Sequence, residues 1–152
     1  MADFSIITAR LATGARLDSM EDAQQLVASG ITHILDLTDA EDDQQFLAGL
    51  GLGYLYNPTA DDGSEKPAAW WEASLAFAQQ AYSSLGTCLL CHCSAGINRG
   101  PSTSYAVLRA CCGLASVEAV AMIRAARPQV GLAYAGQFDA YWGTANPGKV
   151  QT

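Results

Sequence analysis

Hydrophobic residues along the chain alternate between short continuous runs and longer stretches with a helical period. The continuous runs at residues 31–37, 53–57 and 87–91 predict buried strands. Residues 67–85 instead place apolar side chains every three or four positions, which predicts a long helix with one buried face. Buried strands that alternate with helices indicate an α/β fold with a central, mostly parallel sheet flanked by helices.

The chain before the first of these strands predicts a hairpin and a helix. Residues 5–10 and 11–15 have the composition of two short strands. Ser19 is the predicted N-cap of a helix, with the acidic Asp22 three residues later, and Gly30 is the predicted C-terminal stop. This helix leads directly into the first buried strand.

Further helices are predicted before and after the third strand. The acidic run Asp39–Asp43 indicates a helix N-terminus, because acidic side chains are favoured at the positive end of the helix dipole. After the third strand come a central helix at residues 100–112, a helix with Ser116 as its N-cap, and a last helix at residues 134–142. The tail from about residue 144 is expected to fray.

The composition is that of a globular domain. The 152 residues are half hydrophobic and 15% charged, which suits a single domain that spans residues 1–152. The net charge of −7 argues against nucleic acid and anionic membrane surfaces as partners. No basic segment followed by a long apolar run marks the start, so we expect a cytoplasmic protein without a signal peptide.

The cysteines do not indicate a disulfide framework. Five is an odd number, and the cysteines cluster on the third strand and the helix after it. Four of them are interpreted as small buried apolar side chains: Cys88, Cys91, Cys111 and Cys112. The alternative is that one of these four forms a disulfide with an oxidised Cys93. A zinc site is disfavoured, because consecutive residues on a strand point to opposite faces.

Reactive side chains are concentrated where the third strand ends, in the segment L-L-C-H-C-S-A-G-I-N-R-G. Five uncharged and mostly small residues separate Cys93 from Arg99: Ser94, Ala95, Gly96, Ile97 and Asn98. A loop of this length before a helix can turn its backbone N–H groups inward and form a concave anion-binding cradle. The guanidinium of Arg99 adds a planar fork that matches two oxygens of a phosphate.

Cys93 lies at the floor of this cradle, which we define as residues 93–99. A helix N-terminus and a neighbouring guanidinium both favour the thiolate over the thiol. The cradle is therefore predicted to hold a nucleophilic sulfur in line with the phosphorus of a bound phosphate monoester.

The segment H-C-S-A-G-I-N-R resembles the H-C-x-x-G-x-x-R signature of the cysteine-dependent protein phosphatases, and the surrounding chain is similar to their small dual-specificity branch. The segment G-I-T-H-I-L-D-L at the first buried strand is similar as well. The resemblance implies a dual-specificity-phosphatase fold, a phosphocysteine intermediate on Cys93, and phosphate binding by the backbone of residues 94–99 and by Arg99. It also implies that His92 braces the loop rather than acting as an acid or base.

One position departs from that signature. The family usually has Ser or Thr directly after the Arg, where the hydroxyl group hydrogen-bonds the departing thiolate, but this chain has Gly100. A hydrogen bond to a charged group contributes roughly 1.5–3 kcal/mol, so its loss is expected to slow phosphocysteine hydrolysis ~10- to 100-fold. If thiolate departure limits the rate, a Gly100→Ser variant is expected to turn over faster.

A phosphatase also needs a proton donor for the leaving oxygen, which a carboxylic acid on a facing loop can supply. The segment T-A-D-D-G-S-E-K-P contains two candidates, Asp61 and Asp62. Relatives carry this Asp roughly thirty residues before the Cys, which favours Asp61. Asp62 is the alternative, because it precedes Gly63 and some relatives have an Asp-Gly pair there. Both acids also suit a purely structural role in capping the turn.

Several other residues have two interpretations. Arg127 lies at the end of a predicted helix, where relatives often have an Arg that faces the mouth of the active site. The alternative for Arg127, as for Arg124, is a cation that stabilises the helix C-terminus. Trp70 and Trp71 are adjacent, so one ring is predicted to be in the core and the other at the rim of the substrate cleft. His33 is interpreted as a structural residue.

The predicted function is hydrolysis of phosphate monoesters on phosphorylated proteins or peptides, at tyrosine and/or serine and threonine, without a cofactor or metal ion. No Lys or Arg lies at positions 94–98, unlike relatives that act on polyphosphorylated lipids, so a monophosphate is favoured. Two alternatives stay open. Because of Gly100, the protein could bind phosphate without turnover, as a pseudophosphatase; a rhodanese-like sulfurtransferase also uses a Cys before a helix. The sequence predicts no oligomeric state.

Overall fold

Five short strands form a single sheet in the structure, a computed structural model that describes residues 1–146. The strands are β1 (Phe4–Thr8), β2 (Leu11–Gly14), β3 (His33–Asp36), β4 (Gly53–Tyr56) and β5 (Leu89–His92). They lie in the order β1-β2-β5-β3-β4. The β1–β2 pair is antiparallel and the other pairs are parallel, which confirms the predicted α/β fold with a mostly parallel sheet.

Six helices accompany the sheet within residues 1–146. They are α1 (Met20–Ala28), α2 (Gln44–Leu47), α3 (Ala68–Tyr82), α4 (Arg99–Ala110), α5 (Ser116–Ala126) and α6 (Ala135–Ala145). None of these helices is long and apolar enough to cross a membrane. The last helix ends at Ala145, and residues 147–152 of the tail that was expected to fray lie outside the described residues.

The parallel pairing brings the C-terminal ends of β2, β3, β4 and β5 to one edge of the sheet. Because β5 lies between β2 and β3, the loop after β5 leaves from the middle of this edge. Ligand sites of open α/β sheets lie at such an edge, where loops of neighbouring strands meet. The topology therefore places the cradle where several loops converge.

Successive residues of β5 face two separate apolar layers. Leu89 and Cys91 pack in the layer formed by α3 to α6, which contains the rings of Tyr105 and Phe138. Leu90 points to the other face and packs with Leu26 of α1. Both faces of the strand are therefore covered, and β5 gives the cradle a rigid base.

Helix ends follow the sequence prediction at α1 but not at α5. Ser19 Oγ accepts a hydrogen bond from Asp22 N at 3.1 Å, and Gly30 has a φ of +99°, as predicted for the start and the end of α1. Ser116 is instead the first residue of α5, and its Oγ accepts a hydrogen bond from the Tyr105 hydroxyl at 2.8 Å. The predicted Ser116 cap is wrong because this hydroxyl joins α5 to α4.

The two adjacent tryptophans are both in the core, so the prediction that one lines the substrate cleft is wrong. Trp70 and Trp71 are buried, and their ring centroids are 4.6 Å apart in an edge-to-face contact. The Trp70 indole N–H donates to the carbonyl oxygen of Asn57 at 2.9 Å. This hydrogen bond allows the second ring to be buried as well, because its polar atom has a partner away from water.

The five thiols are free, and their burial differs from the prediction at the end of α4. Cys88 and Cys91 are buried as predicted, whereas Cys111 is half-buried and Cys112 is exposed, because both follow the last turn of the helix. Burial raises the pKa of Cys91 to about 12, which makes it a poor nucleophile at neutral pH.

The acidic run that was expected to begin a helix is followed by a single helical turn. The helix α2 has four residues, and Asp43, which precedes it, makes no side-chain cap. The run does lead into a helix, with Asp43 at the N-cap position, but the carboxylates of Asp39 and Asp43 contact the first residue of α4 and the last residue of β5. Asp39 Oδ1 lies 3.0 Å from Arg99 Nη1, and Asp43 Oδ2 lies 2.5 Å from His92 Nε2.

Candidate active site

The cradle begins where β5 ends, and its first residues are tied to the segment that follows β2. Cys93 N donates to the carbonyl oxygen of Gly14 at 3.2 Å, and the carbonyl oxygen of Ser94 accepts from Arg16 N at 3.1 Å. Cys93 is 2% exposed. The sulfur is therefore shielded from bulk water and fixed relative to the sheet.

The four carbonyl oxygens of residues 94–97 all accept hydrogen bonds from outside the loop. Their donors are Arg16 N at 3.1 Å, the Arg127 guanidinium at 3.2 and 2.8 Å, and Gly131 N at 2.9 Å. Within residues 1–146, none of the N–H groups of residues 94–98 donates to a protein acceptor. Carbonyls held outward in this way leave a row of amide donors that a bound anion can accept from.

Gly96 is required by the shape of the loop. Its φ is +69°, a conformation that residues with a Cβ rarely adopt. A Cβ at this position would lie 2.5 Å from Arg127 Nη2 and 2.7 Å from the carbonyl carbon of Gly14. Any larger residue would therefore push the loop away from β2 and from Arg127.

Arg99, the first residue of α4, uses Nη1 of its guanidinium for hydrogen bonds to the protein, whereas its Nε has none within residues 1–146. Its Nη1 donates to the carbonyl oxygen of Thr59 at 2.8 Å and to Asp39 Oδ1 at 3.0 Å. Its Nε is buried and has no hydrogen-bond partner among the described residues. A buried donor without an acceptor is costly, so this atom favours an anionic ligand beside it.

Arg127 lies behind the cradle and not at its mouth. The residue is 2% exposed, and its guanidinium donates to the carbonyl oxygens of Ala95 and Gly96 and, at 2.9 and 3.1 Å, to the two oxygens of Asp3. The prediction of a second substrate contact is wrong, because the side chain turns inward from the end of α5. Arg127 instead holds the loop carbonyls outward.

Asp61 reaches the cradle from the loop after β4. Its Oδ2 accepts a 3.4 Å hydrogen bond from Asn98 Nδ2, and its Oδ1 accepts one from the Tyr134 hydroxyl at 2.9 Å. Asn98 Oδ1 in turn accepts from Ala133 N at 3.3 Å. The carboxylate is therefore close to the cradle while its residue stays exposed to solvent.

Asp62 is engaged elsewhere. Its Oδ1 accepts from Ser64 N at 2.9 Å and lies 3.6 Å from Lys66 Nζ. These hydrogen bonds from Ser64, together with the charge of Lys66, lower the pKa of Asp62 to about 2. A carboxyl group with so low a pKa is ionised at neutral pH and is a poor proton donor, so the geometry favours Asp61 between the two candidates.

A buried hydrogen-bonded group lies on the other side of His92. Asp36, Asp43 and His92 each bring one ligand atom within 4.8 Å of the others, and they are the described residues most suited to hold a metal ion. His92 Nε2 and Asp43 Oδ2 are 2.5 Å apart, however. Two ligands of a tetrahedral zinc ion lie roughly 3.3 Å apart, because each is about 2.0 Å from the metal. We therefore interpret the group as a hydrogen-bonded cluster.

Gly100 is packed too tightly for a side chain. A Cβ at this position would lie 2.9 Å from the carbonyl oxygen of Cys91 and 3.2 Å from Thr13 Oγ1. The absent hydroxyl is thus part of a close approach of α4 to the sheet, and a serine cannot simply be added without a shift of the helix.

Sequence reasoning missed three acidic residues that hold the site: Asp3, Asp39 and Asp43. The signal for the last two was the position of the acidic run, directly after β3 at the edge of the sheet where the cradle lies. No comparable signal was present for Asp3, which meets Arg127 across almost the whole chain.

The sequence matches no protein-family model and no curated protein. The fold, by contrast, matches solved structures over nearly its whole length. A mouse protein described as a dual-specificity phosphatase, in complex with zinc tungstate, is 23% identical with a TM-score of 0.80, over 99% of this chain and 92% of that one. PTPMT1 in complex with PI(5)P is 18% identical with a TM-score of 0.76, over 93% and 98%. The human tyrosine phosphatase-like serine/threonine/tyrosine-interacting protein is 21% identical with a TM-score of 0.75, over 95% and 99%.

The chain therefore has the α/β fold of the cysteine-dependent phosphatases. Within that class its fold is that of the small dual-specificity phosphatases, which confirms the predicted fold. The match gives no support to the sulfurtransferase alternative.

Proposed function

We propose that this protein hydrolyses phosphate monoesters of phosphorylated proteins, with Cys93 as the nucleophile. The observation that carries the proposal is a set of donors without acceptors within residues 1–146: the N–H groups of residues 94–98 and the buried Arg99 Nε. A buried guanidinium N–H is almost always hydrogen-bonded, and a row of free backbone N–H groups before a helix binds anions, so this set favours a ligand with several acceptor oxygens. A phosphoryl group above Cys93 meets that requirement.

In the first proposed step, the Cys93 thiolate attacks phosphorus, an S–P bond forms, and the P–O bond to the leaving group breaks. The loop amides and Arg99 bind the three non-bridging oxygens, which carry the charge of the transition state. Asp61 gives its proton to the leaving oxygen, so the product departs as an alcohol or a phenol. The contact between Asp61 and Asn98 of the cradle supports this role.

In the second proposed step, water attacks the phosphocysteine. The Asp61 carboxylate takes a proton from that water, the S–P bond breaks, and its electron pair returns to Cys93 as the thiolate. Inorganic phosphate leaves, and Asp61 is again protonated for the next cycle. The step needs no cofactor.

The cleft beside the cradle supports a protein substrate with basic neighbours. A cavity of about 340 Å³ borders Ser94, and Asp18, Glu41 and Asp42 contribute to its wall. Arg16 also lines it, but its Nε is paired with Asp18 at 3.1 Å. An acidic wall favours cationic side chains next to the phosphorylated residue. We expect phosphopeptides with Lys or Arg at these positions to be better substrates than acidic phosphopeptides or than PI(5)P, the ligand of the similar PTPMT1.

The test is hydrolysis of p-nitrophenyl phosphate by the parent protein and by two matched cysteine variants. Cys93→Ser is expected to lower turnover by at least ~1,000-fold and to keep phosphate binding, because the donors of the cradle are unchanged. Cys112→Ser removes an exposed thiol beyond the C-terminal end of α4 and is expected to leave turnover unchanged. Equal turnover of Cys93→Ser and the parent would overturn the assignment of the nucleophile.

A second candidate function is phosphoprotein binding without turnover. Gly100 favours it, because no hydroxyl stands at that position to hydrogen-bond the departing thiolate. One of the similar structures belongs to a protein described as phosphatase-like. Binding of a phosphopeptide with no release of phosphate by the parent protein would favour this candidate, whereas steady release would exclude it.

A further inference from the structure

The cluster of Asp36, Asp43 and His92 connects the backbone of Cys93 to the loop that follows β3. His92 is fully buried, and its Nε2 lies 2.5 Å from Asp43 Oδ2 and 3.7 Å from Asp36 Oδ1. Its Nδ1 lies 3.4 Å from the carbonyl oxygen of Cys93. The imidazole therefore bridges the carboxylate of Asp43 and the backbone of the residue that carries the reactive sulfur.

The atoms around the ring define where its protons lie. The carbonyl oxygen of Cys93 can only accept, so Nδ1 carries a proton. At 2.5 Å, a second proton lies between Nε2 and Asp43. Asp36 is committed to other donors: Thr38 N at 3.0 Å, the Thr38 hydroxyl at 2.7 Å and the Tyr54 hydroxyl at 2.8 Å. Asp43 is thus the direct partner of the ring.

We propose that Asp43 is a positioning residue for the phosphatase reaction, which holds His92 as an imidazolium with its positive end toward Cys93. The inference rests on the proposed function, since it explains how the attacking thiolate is stabilised from behind. The Asp43–His92 pair carries no net charge, but it is oriented, because one ring nitrogen faces the backbone of Cys93 and the opposite nitrogen faces Asp43. Such an orientation stabilises a thiolate more than a neutral histidine can.

The charged surroundings of His92 support this arrangement. Burial acts to lower the pKa of His92, but the hydrogen bond to Asp43 and the charges of Asp43 and Asp36 outweigh it, so the pKa is raised. The titratable groups that face the ring are Asp43 before α2, Asp36 on β3, and Tyr54 on β4, whose hydroxyl also accepts from Asp43 N at 2.9 Å. Burial raises the pKa of Tyr54 strongly, so it stays neutral.

The first test measures how fast iodoacetamide alkylates Cys93 as a function of pH, with the modified peptide identified by mass spectrometry. Asp43→Asn keeps the size of the side chain but removes its charge, so the alkylation midpoint is expected to rise by about one pH unit. Glu41→Gln is the matched control, because it removes an equal charge from an exposed position of the same loop. Loss of a bare negative charge favours the thiolate, so this control is expected to shift the midpoint slightly downward or not at all.

A midpoint that rises in Asp43→Asn and does not rise in Glu41→Gln would support the proposal. A midpoint in Asp43→Asn equal to that of Glu41→Gln would overturn it. Neither result depends on turnover. A protein that fails to hydrolyse p-nitrophenyl phosphate but shows the rise in Asp43→Asn alone would therefore lose the proposed function and keep the charge arrangement at Cys93.

A second measurement on the parent protein guards against a variant that does not fold. The chain has two histidines, so both ring systems can be followed by nitrogen NMR in histidine-labelled protein. Burial lowers the pKa of His33, so His33 is expected to be neutral at pH 8. His92 is expected to carry protons on both nitrogens at pH 7, because its ring faces Asp43 and the carbonyl oxygen of Cys93. A neutral His92 ring at pH 7 would overturn the proposal.

Discussion

Two loops at the same edge of the sheet form the candidate site, and they are held in different ways. Cys93, Gly96 and Arg99 of the cradle are buried, and the carbonyls of its loop are fixed by main-chain donors and by Arg127. The loop of residues 59–66, which carries Asp61, is largely exposed and is tied to α6 and the turn before it by side chains, chiefly Tyr134 and Gln137. The proposed phosphate binding therefore depends on a rigid part of the fold, whereas the proposed proton transfer depends on a more exposed part.

Among variants of these two loops, loss of the proposed proton donor Asp61 is expected to have the largest effect. Asp61→Asn is expected to lower kcat ~100- to 10,000-fold for an alkyl or phosphotyrosine leaving group, which equals about 2.7–5.5 kcal/mol in barrier. A leaving group with a low pKa needs less protonation, so p-nitrophenyl phosphate is expected to lose less. Phosphate binding and the free energy of unfolding are expected to change little, because the residue is exposed.

The matched control for this prediction is Asp62→Asn. Asp62 faces Ser64 and Lys66 and not the cradle, so its loss is expected to leave kcat nearly unchanged. A larger fall in kcat for Asp62→Asn than for Asp61→Asn would reverse the assignment of the two acids.

The cradle itself is expected to fail as a structure when its glycine is replaced. Gly96→Ala combines a positive φ with contacts of 2.5 and 2.7 Å, so the free energy of unfolding is expected to fall by roughly 3 kcal/mol. Gly113→Ala is a close control, because Gly113 has the same φ of +69° but open space around it. It isolates the cost of the backbone conformation, roughly 1 kcal/mol. Equal denaturation midpoints for the two variants would show that the cradle is not tightly packed.

A variant of Arg127 tests whether this side chain holds the cradle in place or contacts the substrate. Arg127→Lys keeps one charge but loses the fork that reaches two carbonyls and Asp3, so the free energy of unfolding is expected to fall by about 2 kcal/mol. Phosphate affinity is expected to fall with it. Arg124→Lys, on the exposed face of the same helix, is expected to change neither quantity. If Arg127→Lys instead raises KM and leaves the stability unchanged, Arg127 contacts the substrate at the mouth of the cleft.

The parts of the site that could be predicted from the sequence are those formed by neighbouring residues. The alternation of strands and helices, the small residues of the cradle and its glycine are local features, because each follows from a pattern within a few residues. Gly96 takes its φ of +69° from the tight turn that the spacing of Cys93 and Arg99 requires. Local patterns of this kind are visible in a single sequence.

The parts that were missed join residues far apart in the chain. Arg127 contacts Asp3, and Asp43 contacts His92, through side chains brought together only by the order of the strands. A charge next to a short apolar run suits a helix end, a solvated surface or an ion pair equally well, so composition alone does not choose between them. The direction in which Arg127 turns was equally hidden from the sequence, because it depends on whether buried carbonyls behind the loop need a donor.

The smallest effect is expected for a variant of Gly100. The family signature predicts faster turnover for Gly100→Ser, but the tight packing under the cradle changes that prediction. A serine there gains roughly 0.5 kcal/mol in helix propensity, but its Cβ at 2.9 Å from the Cys91 carbonyl oxygen adds an overpacking cost of roughly 1–3 kcal/mol. Gly100→Ser is therefore expected to lower the free energy of unfolding by about 1 kcal/mol in urea denaturation. Gly136→Ser is the matched control, since Gly136 is also helical but has nothing within 4 Å of its added Cβ, so it is expected to be neutral or slightly stabilising. A Gly100→Ser protein as stable as the parent, with faster release of phosphate after the first turnover, would show that α4 can move away from β5 and that the base of the cradle is softer than its contacts indicate.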